Sequence, residues 1–253
     1  MHYLDIGQGD ALVFIHGFTS NKESWTCQFD LSQKYRLIIP DLRGHGESEV
    51  YDSISLQQFA KDVLAILDHL KIEKAHFCGL SMGGLVVQEI YKQQPHRVKS
   101  LILSNTFSKL STKLNFLFTW VFRLRLKKYL KLTHEERLTA TAKRLLYNAE
   151  NEEIVNHTKK AITFKAKGFE NTFKALSKGF NYYDVLSAVQ VPVLIIGSKN
   201  DRQAPIRYTK RFYKQANKSQ TELFLFEEAG HMPNIEYQDK YNQLLLEFLS
   251  RVS

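Results

Sequence analysis

Short apolar runs recur along both flanks of this 253-residue chain, each closed by turn-forming or polar residues. They occupy residues 11–15, 35–39, 75–78, 98–103, 193–196 and 223–226. Each is apolar on both faces and too short for a helix of ordinary length. Such runs predict strands of a parallel sheet, buried from both sides. Helical periodicity fills the gaps between them. Leu56, Phe59, Ala60, Val63, Leu64, Leu67 and Leu70 share one helical face, and Ser55 with Gln58 predicts a capping box at its start. Leu85, Val86 and Ile90 predict a second helix, which Pro95 ends. Tyr241, Leu244, Leu245, Phe248 and Leu249 predict a third. Strands alternating with helices predict an α/β fold, a mostly parallel, doubly wound sheet covered on both faces.

The alternation breaks between residues 107 and 184. That stretch is helix-like and rich in aromatics, among them Phe116, Phe118, Trp120, Phe122, Phe164, Phe169 and Phe173. It holds 16 Lys/Arg against 7 Asp/Glu, a net +9, which is the net charge of the whole chain. The remainder, 19 basic and 19 acidic residues, is neutral. The division expected is a core of residues 1–106 and 185–253, with residues 107–184 forming a helical cap over the carboxyl edge of the sheet, where open α/β folds bind ligands.

Composition narrows the function classes. The start of the chain lacks a basic signal n-region, and no run of about 18 apolar residues exists to span a membrane. Cys27 and Cys78 are the two cysteines, too few for a disulfide framework and without metal-ligand spacing. A cytoplasmic setting is expected, with no metal and no cofactor. No nucleic-acid motif accompanies the basic charge. The mixture of large apolar and basic side chains over residues 115–132 suits peripheral contact with an anionic membrane. The competing reading puts the aromatics in a pocket and the charges in water. Oligomeric state is not legible.

The candidate chemistry lies at the ends of the apolar runs. Gly79-Leu80-Ser81-Met82-Gly83 sits between a predicted strand and a predicted helix. A serine on so sharp a turn needs small neighbours, and it lies where a helix N-terminus favours a developing oxyanion. A serine nucleophile needs a base. Of the nine histidines, His231 in Gly230-His231-Met232 follows the last predicted strand directly. His16 and His45 read as loop-shaping residues, and His134 and His157 as solvated. Asp201 follows the penultimate strand, placed to orient the imidazole. Ser81, Asp201 and His231 are therefore the candidate catalytic set. The Met82 and Phe18 backbone N–H groups are the candidate oxyanion donors. Phe18 and Trp120 are the candidate substrate contacts. Asp41-Leu42-Arg43-Gly44-His45-Gly46-Glu47-Ser48 reads as a structural loop held by Asp41 and Arg43 hydrogen bonds.

These five motifs, in this order, resemble the α/β-hydrolase superfamily. More narrowly, the chain resembles the branch of 3-oxoadipate enol-lactonases, small carboxylesterases, cofactor-free haloperoxidases and carbon–carbon bond hydrolases. The resemblance implies triad and oxyanion roles for the residues above and leaves the substrate open. Serine at position 81 departs from the members that use an aspartate nucleophile. The short N-terminus and the basic, aromatic insertion also depart from the family pattern. The leading expectation is a serine carboxylesterase acting on a small-molecule ester through an acyl-enzyme. Carbon–carbon bond hydrolysis or enol-lactone opening by the same triad is the alternative, with Arg123, Arg125, Lys127 and Lys128 as candidate anchors. A non-catalytic ligand-binding receptor on the same fold is the remote one.

Overall fold

The structure, a computed structural model, describes residues 1–110 and 131–252. Seven strands form one sheet: β1 (Tyr3–Ile6), β2 (Ala11–Ile15), β3 (Arg36–Pro40), β4 (Ala75–Leu80), β5 (Val98–Ser104), β8 (Val193–Ser198) and β9 (Thr221–Phe226). Their spatial order is β1-β3-β2-β4-β5-β8-β9. All pairs are parallel except β1 with β3, which run antiparallel from Tyr3 opposite Pro40 to Ile6 opposite Leu37.

Burial follows the two-residue period of a strand. Val13, Ile15, Ile38, Phe77, Leu101, Leu103 and Ile195 point to one face. There they meet α1 (Leu56–His69) and α2 (Met82–Gln93). Leu12, Phe14, Leu37, Ile39, Ile102, Leu194 and Ile196 point to the other, against Trp25, Tyr241, Leu245 and Phe248. Trp25 belongs to a 3₁₀ segment, Lys22–Gln33, and the other three to the C-terminal helix α9 (Gln238–Val252). Covering both faces is why the inner strands read as unbroken apolar runs.

The edges differ from the sequence expectation. Strand β1 is not visible as an apolar run, because an edge strand needs only partial burial. Strand β9 was expected to be buried on both faces, yet Glu222 is exposed and Leu223, Phe224 and Leu225 are half-buried. It is the opposite edge. The capping box of α1 is half-formed: Ser55 Oγ accepts from Gln58 N at 3.1 Å, but the Gln58 amide donates to Asp62 instead.

The 107–184 insertion leaves the sheet between β5 and β8. Within its described residues it is not purely helical. Its neck is closed by a two-stranded antiparallel ladder, β6 (Lys109–Leu110) with β7 (Phe180–Asn181), followed by the short helix α6 (Tyr183–Ser187). Beyond the neck come α3 (His134–Leu145), α4 (Glu152–Lys160) and α5 (Ala166–Ser177). The start of α3 carries a complete capping box between Thr133 and Glu136. The core continues from β8 through α7 (Ile206–Gln215), and α8 (Pro233–Glu236) precedes α9.

The insertion is stitched to the core through backbone groups. Ser20 Oγ and Asn21 N both donate to Ala161 O, and Thr163 N donates to Thr19 O at 2.9 Å. A Cβ on Gly168 would lie 2.1 Å from Gly44 O, so α5 meets the 41–48 loop backbone to backbone. His157 is not solvated as expected. It is half-buried, with Nε2 2.9 Å from Thr26 Oγ1 and 3.4 Å from Cys27 Sγ. Among the described residues, no helix is long and apolar enough to cross a membrane.

Candidate active site

Strand β4 turns into α2 at Ser81, whose backbone is held at φ 56° and ψ −116°. A non-glycine residue with positive φ is strained, and the surroundings must hold it there. They do so closely. Ser81 N donates to Ser104 O at 2.9 Å, and Thr106 Oγ1 donates to Ser81 O at 2.6 Å. A Cβ on Gly83 would fall 2.0 Å from Ile15 O, and one on Gly79 would fall 2.4 Å from the Gly83 carbonyl carbon. These glycines are thus required by close approach of strand and helix.

Strands β4, β5, β8 and β9 are adjacent and parallel, so the residues following them share one edge of the sheet. Asp201 follows β8 and His231 follows β9. His231 Nδ1 lies 2.8 Å from Asp201 Oδ2. A carboxylate only accepts, so Nδ1 carries the proton and Nε2 presents a lone pair. The other Asp201 oxygen accepts from Gln203 N at 2.7 Å and Ala204 N at 2.9 Å. Burial raises the Asp201 pKa, but the facing His231 ring and these donors outweigh it and hold the carboxyl below its ordinary value. His231 makes its described side-chain hydrogen bond to Asp201, and none reaches Ser81. Such hydrogen bonds often form only with substrate in place.

Asn105 was not singled out by sequence reading. It follows β5 directly, is fully buried, and sits at φ 45°. Its amide nitrogen lies 2.9 Å from Asp201 Oδ2, 2.9 Å from Ser198 Oγ and 3.2 Å from Gly230 O. One side chain thus ties the loop of Asp201 to the loop of His231. The available signal was a polar side chain at the carboxyl end of the strand next to the nucleophile strand. Glu236 was missed as well. Its carboxylate accepts from Gly230 N, Tyr147 N and Asn148 N.

The loop after β2 passes beside the elbow: a Cβ on Gly17 would lie 3.4 Å from Ser81 Cβ. Leu42 N donates to His16 Nε2 at 3.0 Å, so the other ring nitrogen carries the proton and donates to Gly17 O at 2.8 Å. His16 therefore shapes this loop. Burial holds its pKa below the ordinary histidine value. With Gly17 O engaged by His16 and Ser20 N, the trans peptide turns the Phe18 N–H the opposite way. Met82 opens α2, so its N–H has no intrahelical acceptor. The Phe18 ring stacks on Phe169 of the insertion, centroids 4.9 Å apart.

The 41–48 loop is held by ions and backbone bonds. Buried Asp41 accepts from Lys22 N at 2.7 Å, Lys22 Nζ at 3.0 Å and Glu47 N at 2.8 Å. Arg43 pairs with Asp62 and covers the Tyr51 ring. The His45 ring packs between His16, Phe18 and Phe59, and burial, reinforced by His16, pushes its pKa down to about 3. A ring that resists protonation so strongly suits packing better than proton transfer. Trp120 lies outside the described residues, as do Arg123, Arg125, Lys127, Lys128 and all but the last two residues of the 115–132 stretch.

A sheet of this order with a serine elbow at its carboxyl edge defines the class. The family model for the alpha/beta hydrolase fold matches residues 10–237, and the chain belongs to that family. Its relatives include 3-oxoadipate enol-lactonase 1 of Acinetobacter baylyi, 30% identical over 96% of this chain and 89% of that protein. A 2-hydroxy-6-oxononadienedioate/2-hydroxy-6-oxononatrienedioate hydrolase of Burkholderia vietnamiensis is 28% identical over 99% of this chain and 91% of its own. Among solved structures, a thermophilic esterase from Thermogutta terrifontis superposes with a TM-score of 0.85 at 24% identity, covering 99% of this chain and 93% of the esterase. That likeness is one of fold.

Proposed function

We propose that this chain is a serine hydrolase that cleaves a small carboxylic ester through an acyl-enzyme. The observation that carries the reading is the His231–Asp201 hydrogen bond of 2.8 Å on the same sheet edge as the strained Ser81 elbow. Ser81 Oγ attacks the acyl carbon while His231 Nε2 takes its proton. The tetrahedral oxyanion is bound by the Phe18 and Met82 N–H groups. The C–O bond to the leaving alkoxide breaks, and the alkoxide takes the proton from His231. Water then repeats the sequence on the acyl-enzyme, releasing the acid and restoring Ser81. Asp201 keeps His231 in the tautomer that exposes Nε2.

The 107–184 insertion is the pocket wall in this reading, contributing Phe169 against Phe18. A second reading is opening of an internal ester, a lactone. It is favoured by the enol-lactonase relative at 30% identity.

Wild-type protein should hydrolyse a short p-nitrophenyl ester and label with a fluorophosphonate at Ser81. Ser81→Ala should lose both while remaining folded. Turnover retained by that variant overturns the assignment. A panel of linear esters and lactones at equal concentration separates the two readings.

A further inference from the structure

The loop that carries His231 is pinned at three backbone groups, both of those of Gly230 and the N–H of His231. Gly230 O accepts from the Asn105 amide at 3.2 Å. His231 N donates to Leu145 O, at the end of α3 in the insertion, at 2.6 Å. Gly230 N donates to Glu236 Oε2 at 2.7 Å. The other Glu236 oxygen accepts from Tyr147 N at 2.6 Å and Asn148 N at 3.3 Å, in the turn just after α3. One carboxylate therefore bridges two strands of chain, the His231 loop and the insertion turn. The approach is close: a Cβ on Gly230 would lie 2.6 Å from both Leu145 O and Tyr147 N. Three N–H donors converge on two oxygens, and only an ionised carboxyl offers acceptors on both sides with no competing donor.

We propose that Glu236 is a positioning residue, which locks the His231 loop to the 145–148 turn of the insertion and so sets where His231 Nε2 stands relative to Ser81. The proposal rests on the reading of His231 as the base. It gives the insertion a second task beside walling the pocket: its α3 end is part of the frame of the proton-transfer group. None of the bridge residues lines the cleft around Phe18, Thr163, Lys165 and Phe169, so loss of the bridge should slow chemistry and leave binding nearly as it was.

The test is Glu236→Gln, a near-isostere that puts an amide donor among N–H donors. Expected are a kcat for the p-nitrophenyl ester at least tenfold lower, KM within twofold, and fluorophosphonate labelling of Ser81 at least tenfold slower. The downfield imidazole proton resonance of the His231–Asp201 hydrogen bond should shift or broaden. A merely structural role would lower the melting temperature alone. Wild-type kcat, labelling rate and resonance in the folded variant overturn the proposal. Should the variant not fold, native-state amide exchange on the wild type decides. Gly230, Tyr147 and Asn148 amides protected together support the bridge, and rapid or unrelated exchange overturns it. A wild type that fails to label at all overturns the serine-hydrolase reading beneath, a result distinct from wild-type labelling by the variant.

Discussion

Asn105→Ala removes the side chain that joins Asp201, Ser198 and the Gly230 carbonyl. The site is fully buried, so water does not replace the lost donor. Ser198 Oγ loses the same donor but keeps its own O–H to donate. Gly230 O and one Asp201 contact are left short, at about 1–3 kcal/mol for each unsatisfied buried group. Alanine at φ 45° adds about 1 kcal/mol over asparagine, which tolerates the left-handed region. The expected loss of stability is therefore about 3–7 kcal/mol, read from urea denaturation. Activity should fall less than stability suggests. Asp201 keeps two backbone donors on its other oxygen and keeps His231. A decline in kcat/KM of about 10–100-fold follows, equivalent to about 1.4–2.7 kcal/mol of barrier. Asp201→Asn removes the acceptor that selects the tautomer, and that change costs about 10⁴ in kcat in comparable triads. Asn105→Ala with wild-type stability, or with a rate as low as Asp201→Asn, would refute the division of labour between the two residues.

Lys22→Met should destabilise the fold by about 3–5 kcal/mol, because it strands the Asp41 carboxylate, which is fully buried, without its cation. Thermal melts measure this, and a shift of under 1 °C would contradict it. Acid should destabilise the protein well before its carboxylates titrate. Burial depresses His45 to about 3 and His76 to about 4, and lowers His16, whereas all three take protons near 6.5 once unfolded. Within that window the unfolded chain binds more protons, so stability is full above about pH 6.5 and is lost as pH falls toward the folded values. Each histidine contributes a slope of up to about 1.4 kcal/mol per pH unit. Equal urea midpoints at pH 7 and pH 5 would count against this account.

What the sequence makes legible follows from periodicity and from chemistry confined to short motifs. Strands β2, β3, β4, β5 and β8 are buried on both faces and so appear as apolar runs. Ser81 and Asp201 stand out as candidates because they follow two of these runs, β4 and β8, and His231 because it follows the apolar run of β9. The edge strands carry weaker patterns because one side of each lacks a partner. β1 is invisible for this reason, and β9 is apolar in sequence but half-exposed in space. Asn105 and Glu236 are illegible for another reason. Their roles lie largely in contacts with residues distant in sequence, Gly230 being 125 positions from Asn105 and Tyr147 89 positions from Glu236. No spacing rule encodes such contacts.

The same distinction bears on how this fold could change substrate while keeping its chemistry. Among the described residues, the Ser81 turn is framed by the core, through Ser104, Thr106 and the packing of Gly83 on Ile15. Asp201 is likewise held by its own loop and by Asn105. His231 differs, since its backbone N–H and that of Gly230 lead to the insertion, directly or through Glu236. An altered insertion therefore does more than reshape a pocket wall. Unless it returns an acceptor to His231 N and donors to Glu236, it moves His231, the proposed base, as well. The backbone path of the end of α3 and of the turn that follows it should accordingly tolerate less change than their surface position suggests. Replacing exposed side chains there should be harmless, while shortening the turn by one residue should slow fluorophosphonate labelling of Ser81 as much as Glu236→Gln does.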